Sequence, residues 1–278
     1  MVRSWLVLVL FAACGSSHLD VAKPTAPAVN KLPDGPPLVT PGEHMQYKLS
    51  LRGVELAVYD LAIGDITDFN GKRAIVVQSH AKTVGLGALI KVDDYFSSWV
   101  DVATGRPLHW KCDEYASNGK DKEKTDADLA GRQGDSIPIA FHLNDDPPKT
   151  EPQHVSLPEV WDYNSFLIAL RGWEGAPGST VTAEVFRSRF LWHVEMKIHG
   201  REQLHTQLGE LPALRLDGHT YKLDKDGSRD PGSDERNFSV WISDDDGRVP
   251  LEVKARTDYG DIEMVIVDYQ PGTGQRLR

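Results

Sequence analysis

FLWHVEMKIHG, residues 190–200, sets Phe190, Trp192, Val194, Met196 and Ile198 on one side and Leu191, His193, Glu195 and Lys197 on the other. A period of two, with one side dominated by large apolar groups, marks a strand with one face on a core. A helix of the same composition would space its apolar residues three and four apart.

The same texture continues in both directions. TVTAEVFRS precedes the stretch, and ALRLDGHTYKL, NFSVWISDD, RVPLEVKART and DIEMVIVDYQ follow it, with DDDG at 244–247 as a tight connection. Toward the N-terminus, Met45, Tyr47, Leu49 and Leu51 share a face, Gly53 supplies a turn, and a second strand runs through Leu56 to Leu61. RAIVVQSHAKT, residues 73–83, follows an Asn70-Gly71 pair suited to positive φ. Residues 91–131 read as three strands joined at Gly105 and at Asn118-Gly119, and a short strand fits Ile137 to Leu143. The spacing predicts a mainly β domain over residues 43–270: an antiparallel barrel, half-barrel or sandwich of about eleven or twelve strands. No long helices alternate with these strands, which excludes a parallel α/β arrangement.

One segment breaks the pattern. In VWDYNSFLIALRGW, Asp162 caps a short helix from about Tyr163 to Arg171, with Phe166, Leu167 and Leu170 on a common face and Gly172 as the stop. A lone helix in an all-strand domain is expected to plug or cover a sheet.

The chain opens with a different physics. Arg3 is followed by an apolar run, Trp5 to Ala13, far shorter than the ~20 residues a spanning helix needs, and the run stops at Cys14. Residues 1–13 are read as a signal peptide. Phe11-Ala12-Ala13-Cys14 resembles the lipobox of bacterial lipoproteins, with phenylalanine where leucine is usual, so Cys14 is the expected lipidation site. Pro24, Pro27, Pro33, Pro36, Pro37 and Pro41 follow, giving an extended tether over residues 14–42. Residues 271–278 are read as a flexible tail. The expected location is the cell envelope, facing the periplasm from the outer membrane, with membrane contact through the lipid anchor.

The chain carries 31 Lys and Arg against 41 Asp and Glu, a formal charge of −10, which argues against nucleic acid and anionic lipid surfaces as partners. With Cys14 acylated, Cys112 has no partner for an intrachain disulfide, and its alternation with Leu108 and Trp110 places it in the core as a small hydrophobe.

Catalytic signatures are sparse. The acidic loop DKDGSRDPGSDE, residues 224–235, has its glycine in the wrong place for a calcium loop. His193, His199 and His205 stand six apart and form no zinc motif; no metal is expected. No nucleophile elbow, phosphate cradle or dinucleotide fingerprint occurs, so no cofactor is expected. Carboxylate neighbours such as Asp93 and Asp94, or Glu159 and Asp162, leave a hydrolase as the weakest of three readings. The remaining candidates are aromatic: Tyr47, Trp99, Trp110, Trp192 and Trp241, with Arg171, either line a ligand cavity in a curved sheet or simply fill its interior.

PGEHMQYKLSLRGVELA, DDYFSSWVDVATGRPLHWKCDEY, DYNSFLIALRGW and VWISDDDGRVPLEVKARTDYGDIEMVIVDY, in that order, resemble the domain of unknown function 3108 family of bacterial envelope proteins over about Pro41 to Tyr269. The resemblance implies an exported, mostly antiparallel β-domain and supplies no catalytic residues. Its recurrent elements here, Gly42-Glu43, Asp101, Arg171, Trp241, Asp245 and Pro250, fit turn caps and anchors as well as they fit a site. This chain departs from it in a longer proline-rich segment around residues 145–158. The leading expectation is non-enzymatic binding or transfer of an apolar or glycan-bearing envelope molecule, a lipid or glycolipid; a scaffold for an outer-membrane protein complex is the second.

Overall fold

Alternation becomes architecture by way of turns that force neighbours together. The computed structural model describes residues 30–84, 92–116, 121–257 and 260–278. Cys14 and residues 1–13, read above as a signal peptide, lie outside the described residues. The strands are β1 (His44–Leu51), β2 (Val54–Phe69), β3 (Lys72–Thr83), β4 (Asp93–Asp101), β5 (Pro107–Ala116), β6 (Asp121–Ala127), β7 (Ser136–Leu143), β8 (Lys149–His154) and β9 (Val160–Asp162). Helix α1 (Tyr163–Arg171) follows, then β10 (Thr180–Arg187), β11 (Phe190–Thr206), β12 (Gly209–Lys222), β13 (Arg236–Ser243), β14 (Pro250–Thr257) and β15 (Gly260–Gln270).

All 15 strands join one sheet in the order β8-β7-β6-β5-β4-β3-β2-β1-β15-β14-β13-β12-β11-β10-β9. Each chain-consecutive pair from β1 to β8 and from β10 to β15 is antiparallel, and β1 closes the two halves by pairing with β15. The β1–β2 and β2–β3 turns have the geometry the sequence suggests: Gly53, Asn70 and Gly71 all sit at positive φ. The strand count exceeds the expected eleven or twelve, and two of the added strands, β8 and β9, carry weak signals. β8 is KTEPQH, a polar edge strand broken by Pro152, and β9 is three residues long and pairs parallel to β10.

The sheet rolls up as a scroll. Val185 and Trp192 pack with the larger core, which also holds Met45, Ile75, Leu216 and Ile266; their neighbours Phe186 and Leu191 point the other way, into a second core with Phe96, Trp110 and Cys112. β10 is therefore buried on both faces, and the four consecutive residues Ala183–Phe186 are all buried. The β9 edge lies inside the curl made by β4 to β8. Trp110 donates its indole N–H to the Ser188 carbonyl at 3.2 Å, and Arg189 reaches Glu123 at 2.9 Å, so polar contacts tie the two layers. The outer edge is also covered: the His154 N–H donates to the Lys225 carbonyl at 2.9 Å, which shields β8 from pairing with another chain.

Helix α1 fills the larger core. Its expected bounds and its Asp162 cap are those observed, with the Asp162 side chain accepting from the Ser165 N–H and the Ser165 hydroxyl accepting from the Asp162 N–H. The helix is enclosed beyond its one apolar stripe, since every residue from Asn164 to Arg171 is buried. Polar groups on that buried surface find partners on the sheet: the Ser79 hydroxyl donates to Asn164 Oδ1 at 2.8 Å and the Ser98 hydroxyl to Asp162 Oδ1 at 2.5 Å.

Both ends of the domain run closer to its body than the readings of tether and flexible tail suggest. Leu32 and Val39 are buried in the larger core, Leu277 packs against it, and the Leu277 N–H donates to the Val39 carbonyl at 3.0 Å. Two short segments with few apolar residues of their own thus pair with each other over the helix end. Among the described residues no helix is long and apolar enough to cross a membrane.

A candidate apolar binding groove

The inner face of the sheet stays apolar beyond the point where α1 covers it. Along β1 burial falls from Met45 and Tyr47 to a half-buried Leu49; along β13 it falls from Val240 to Phe238, and along β15 from Ile266 to Ile262. These ends lie side by side, since Leu49 pairs with Met264, Phe238 with Ala255, and Ala255 with Ile262. The result is a groove of about 340 Å³ floored by Phe238, Val253 and Met264 and walled by Trp192 and by Phe166 of α1. Its size lies at the lower end of the ~300–1,000 Å³ typical of small-molecule sites, and its lining is of the same apolar kind.

Gly218 shapes the floor. It pairs across the ladder with Phe238, and a Cβ at this position would come within 2.6 Å of the Phe238 ring. Only a residue without a side chain lets that ring lie against the β12 backbone. Trp192 is fixed from the rim by Arg236, whose guanidinium carbon stands 5.7 Å from the indole centroid. Arg187 and Arg256 complete the rim, and Arg256 is tied to Asp261 at 2.8 Å.

The candidate residues read from the sequence fall in several places. Trp192 lines the groove. Tyr47 lies deep in the larger core, its hydroxyl donating to the Pro250 carbonyl at 2.9 Å, and burial pushes its pKa far up. Trp110 fills the second core, stacked on Phe96 at 5.6 Å. Trp99 faces outward from the sheet, whereas Trp241, on the side of β13 opposite Val240 and Ile242, is buried with the larger core. Trp99 packs with Phe69 and His109, because it alternates with the inward Ser98 and Val100; Trp241 lies under Arg215 and Lys254 and donates to Glu202. A single aromatic face linking all five does not form: Trp99 is odd where Phe96 and Ser98 are even, and in β strands that difference means opposite sides.

Arg171 is an internal anchor. It grips Glu43 with both terminal nitrogens, at 2.6 and 3.2 Å, and donates to the Gly247 carbonyl at 2.8 Å. Arg248 adds to the same junction, donating to the carbonyls of Arg171 and Trp173 at 3.1 and 3.0 Å and so satisfying the end of α1. Asp245 organises the 244–250 turn by accepting from the Ser243 hydroxyl and the N–H groups of Gly247 and Arg248, and Asp101 accepts from the N–H groups of Ala103 and Thr104.

Among the described residues carboxylates do not converge on the groove, and none of them lines it. Asp93 pairs with His80 at 2.8 Å and Glu159 with Arg106 at 2.7 Å, while Asp162 is spent on the helix cap. Burial pushes the carboxyls of Asp94 and Asp162 up to about 6, opposed in both cases by hydrogen bonds, the Tyr115 N–H donating to Asp94 at 2.9 Å. The 224–235 loop folds back on itself: Asp226 accepts from Ser228 and Asp230 pairs with Lys222 at 2.7 Å. Among the described residues no cluster of three His, Cys, Asp or Glu side chains is placed to hold a metal ion.

Comparison with one solved structure agrees with this picture of the fold. The structure is similar to a β-barrel-like protein of domain of unknown function DUF1849 from Brucella abortus, with a TM-score of 0.54 and 7% identity over 84% of this chain and 99% of that one. It also aligns with the hypothetical lipoprotein YmcC from Escherichia coli, with a TM-score of 0.32 and 10% identity over 83% of this chain and 86% of that one. No match is found among curated proteins. Residues 46–267 match the model of the family described as protein of unknown function (DUF3108), a span that takes in the scroll from β1 to β15, and the chain belongs to that family.

Proposed function

We propose that this domain binds a single-chain apolar or amphipathic envelope molecule in the groove at the open end of its inner face. The observation that carries the reading is the contiguous run of half-buried apolar side chains, Leu49, Trp192, Phe238, Val253 and Ile262, that lines one groove at the end of the inner face. Among the described residues the exposed large hydrophobics are Val54, Tyr95 and Leu208, scattered on separate strands and loops. That distribution favours a ligand site over a flat protein-docking surface. A chain beginning with a lipobox-like Phe11-Ala12-Ala13-Cys14 would hold such a groove at the membrane face of the envelope.

A brominated fatty acid tests the reading. The full chain carrying Cys14→Ala, purified without detergent, is titrated while tryptophan emission is followed. Saturable quenching that disappears in Trp192→Phe supports binding in the groove; no quenching, or quenching that Trp192→Phe leaves intact, refutes it.

A further inference from the structure

The hairpin of β11 and β12 outruns the sheet that carries it. β10 stays with β11 from Phe190 to Lys197, and the Gly178-Ser179 loop adds two backbone bonds at Ile198. Among the described residues no strand follows β11 on that side any further, and on the other side β13 leaves β12 at Ala213. Arg201 to Thr206 is thus a sheet edge, in which Arg201, Glu202, Gln203 and His205 are exposed.

The two flanks of this hairpin differ. The β12 flank is guarded: Pro212 has no N–H to offer, and its carbonyl accepts from the Asp244 N–H at 2.8 Å. That bond also fixes the phase of the ladder. Pro212 stands opposite Gln203 and turns its carbonyl away from β11, so the pair makes no bond across the hairpin, and Gln203 turns its own N–H and carbonyl to the open flank. By alternation Arg201 and His205 do the same. The open flank holds no proline and no lysine, and the register shift nearest to it comes before it, between Ile198 and Gly200. The β8 edge, by contrast, carries Pro152 and is tied to Lys225.

We infer that this flank is an interface with a second copy of the chain, β11 pairing antiparallel with β11 across a two-fold axis at Gln203. The edge is complementary to itself. Under that axis Gln203 meets Gln203 of the second copy and Arg201 meets its His205, so the outward backbone groups form roughly six N–H···O=C bonds, two for each hydrogen-bonded pair. A glutamine amide holds donors and an acceptor and bonds its own kind. Arg201 and His205 bring their own carboxylates, Asp244 and Glu210, both at 2.7 Å, so like charges do not meet unbalanced. The groove lies at the other end of β11 and β12, at Trp192 and Thr220, and the two sites are independent.

Sedimentation equilibrium of the full chain carrying Cys14→Ala tests the pairing. A reversible dimer is expected, with dissociation on the order of micromolar because a single strand edge is a small contact. Gln203→Pro copies the guard that Pro212 provides across the hairpin. It removes an outward N–H without touching the β11–β12 ladder, so it should weaken the dimer roughly tenfold or more and leave the circular dichroism spectrum unchanged. Gln203→Cys supplies a second readout. In a hydrogen-bonded antiparallel pair the Cα atoms stand about 5.5 Å apart, a separation a disulfide spans, and Cys112 is buried. Mild oxidation should therefore link two chains through the introduced thiol, whereas Lys197→Cys, exposed on the part of β11 that β10 covers, should not link them. A chain that stays monomeric at all concentrations, a dimer that Gln203→Pro leaves at full strength, or equal crosslinking from positions 203 and 197 overturns the inference.

Discussion

Arg171 and Glu43, 128 residues apart in the chain, meet at 2.6 Å with both side chains almost wholly out of solvent. The pair pins the last turn of α1 to the start of β1, and Gly247 and Thr40 share in it through a carbonyl and an N–H. Removing one partner strands a buried charge, which costs about 3–5 kcal/mol. Arg171→Met is therefore expected to lower unfolding free energy by that amount in urea titration. The double variant Arg171→Met/Glu43→Gln should recover part of the loss, because no uncompensated charge remains. A single variant within about 1 kcal/mol of the parent would show that the pair is dispensable.

Stability should fall as pH rises from 4 to 7. Burial raises Asp162 from 3.8 to about 6 in the folded chain, so between those values the native state holds a proton that the unfolded state has released. The slope of stability with pH is then negative, the contribution being complete below about pH 4 and lost through pH 6. For this fully buried group the change amounts to roughly 3 kcal/mol. Asp94 shifts in the same direction and adds a smaller, partly solvent-screened part. Asp162→Asn keeps an acceptor for the Ser165 N–H and removes the titration, so urea midpoints measured across this range should lose most of their slope. A slope unchanged in that variant would assign it to other groups.

Strand pattern, the helix with its cap, and the place of Cys112 were legible because each is encoded locally, by alternation or by a polar residue before an apolar run. The roll of the sheet was not. It depends on β10 being apolar on both faces, and TVTAEVFR carries Glu184 in the middle of that strand, where its buried carboxylate accepts from the N–H groups of Ser156 and Leu157. A residue that reads as solvent-facing is thus a partner for a distant backbone. The groove was half legible: Trp192 stood among the candidates, but Phe238, Val253 and Arg187 carry no signal until the register brings their strands together.

Deletion of residues 272–278 should destabilise the domain although the segment has no secondary structure. It would remove the Leu277 side chain from the larger core and the hydrogen bonds from Gly274 to the Pro41 carbonyl and from Leu277 to the Val39 carbonyl, both 3.0 Å. The expected loss is about 2–4 kcal/mol, from one half-buried leucine and two backbone bonds. Circular dichroism melts of the full and shortened chains would read it as a drop of several degrees in Tm. Superimposable melts would return residues 271–278 to the status of a free tail.

Gly218→Ala should change the groove more than the fold. The new methyl would meet the Phe238 ring, which has room to swing because its far side faces the open groove, whereas the Glu195 carbonyl at 3.0 Å yields less easily. The cost in stability is expected at about 1–3 kcal/mol, the range for overpacking a fitted site. The ring, once displaced, occupies the space above Val253 and Met264, so saturable quenching by a brominated fatty acid should weaken severalfold while Trp110, buried in the second core, keeps its emission. Equal affinity in the variant would mean that the Phe238 floor does not contact the ligand. In that case Phe166 of α1 and Trp192 would be the walls that matter, and Phe166→Ala the next substitution to measure.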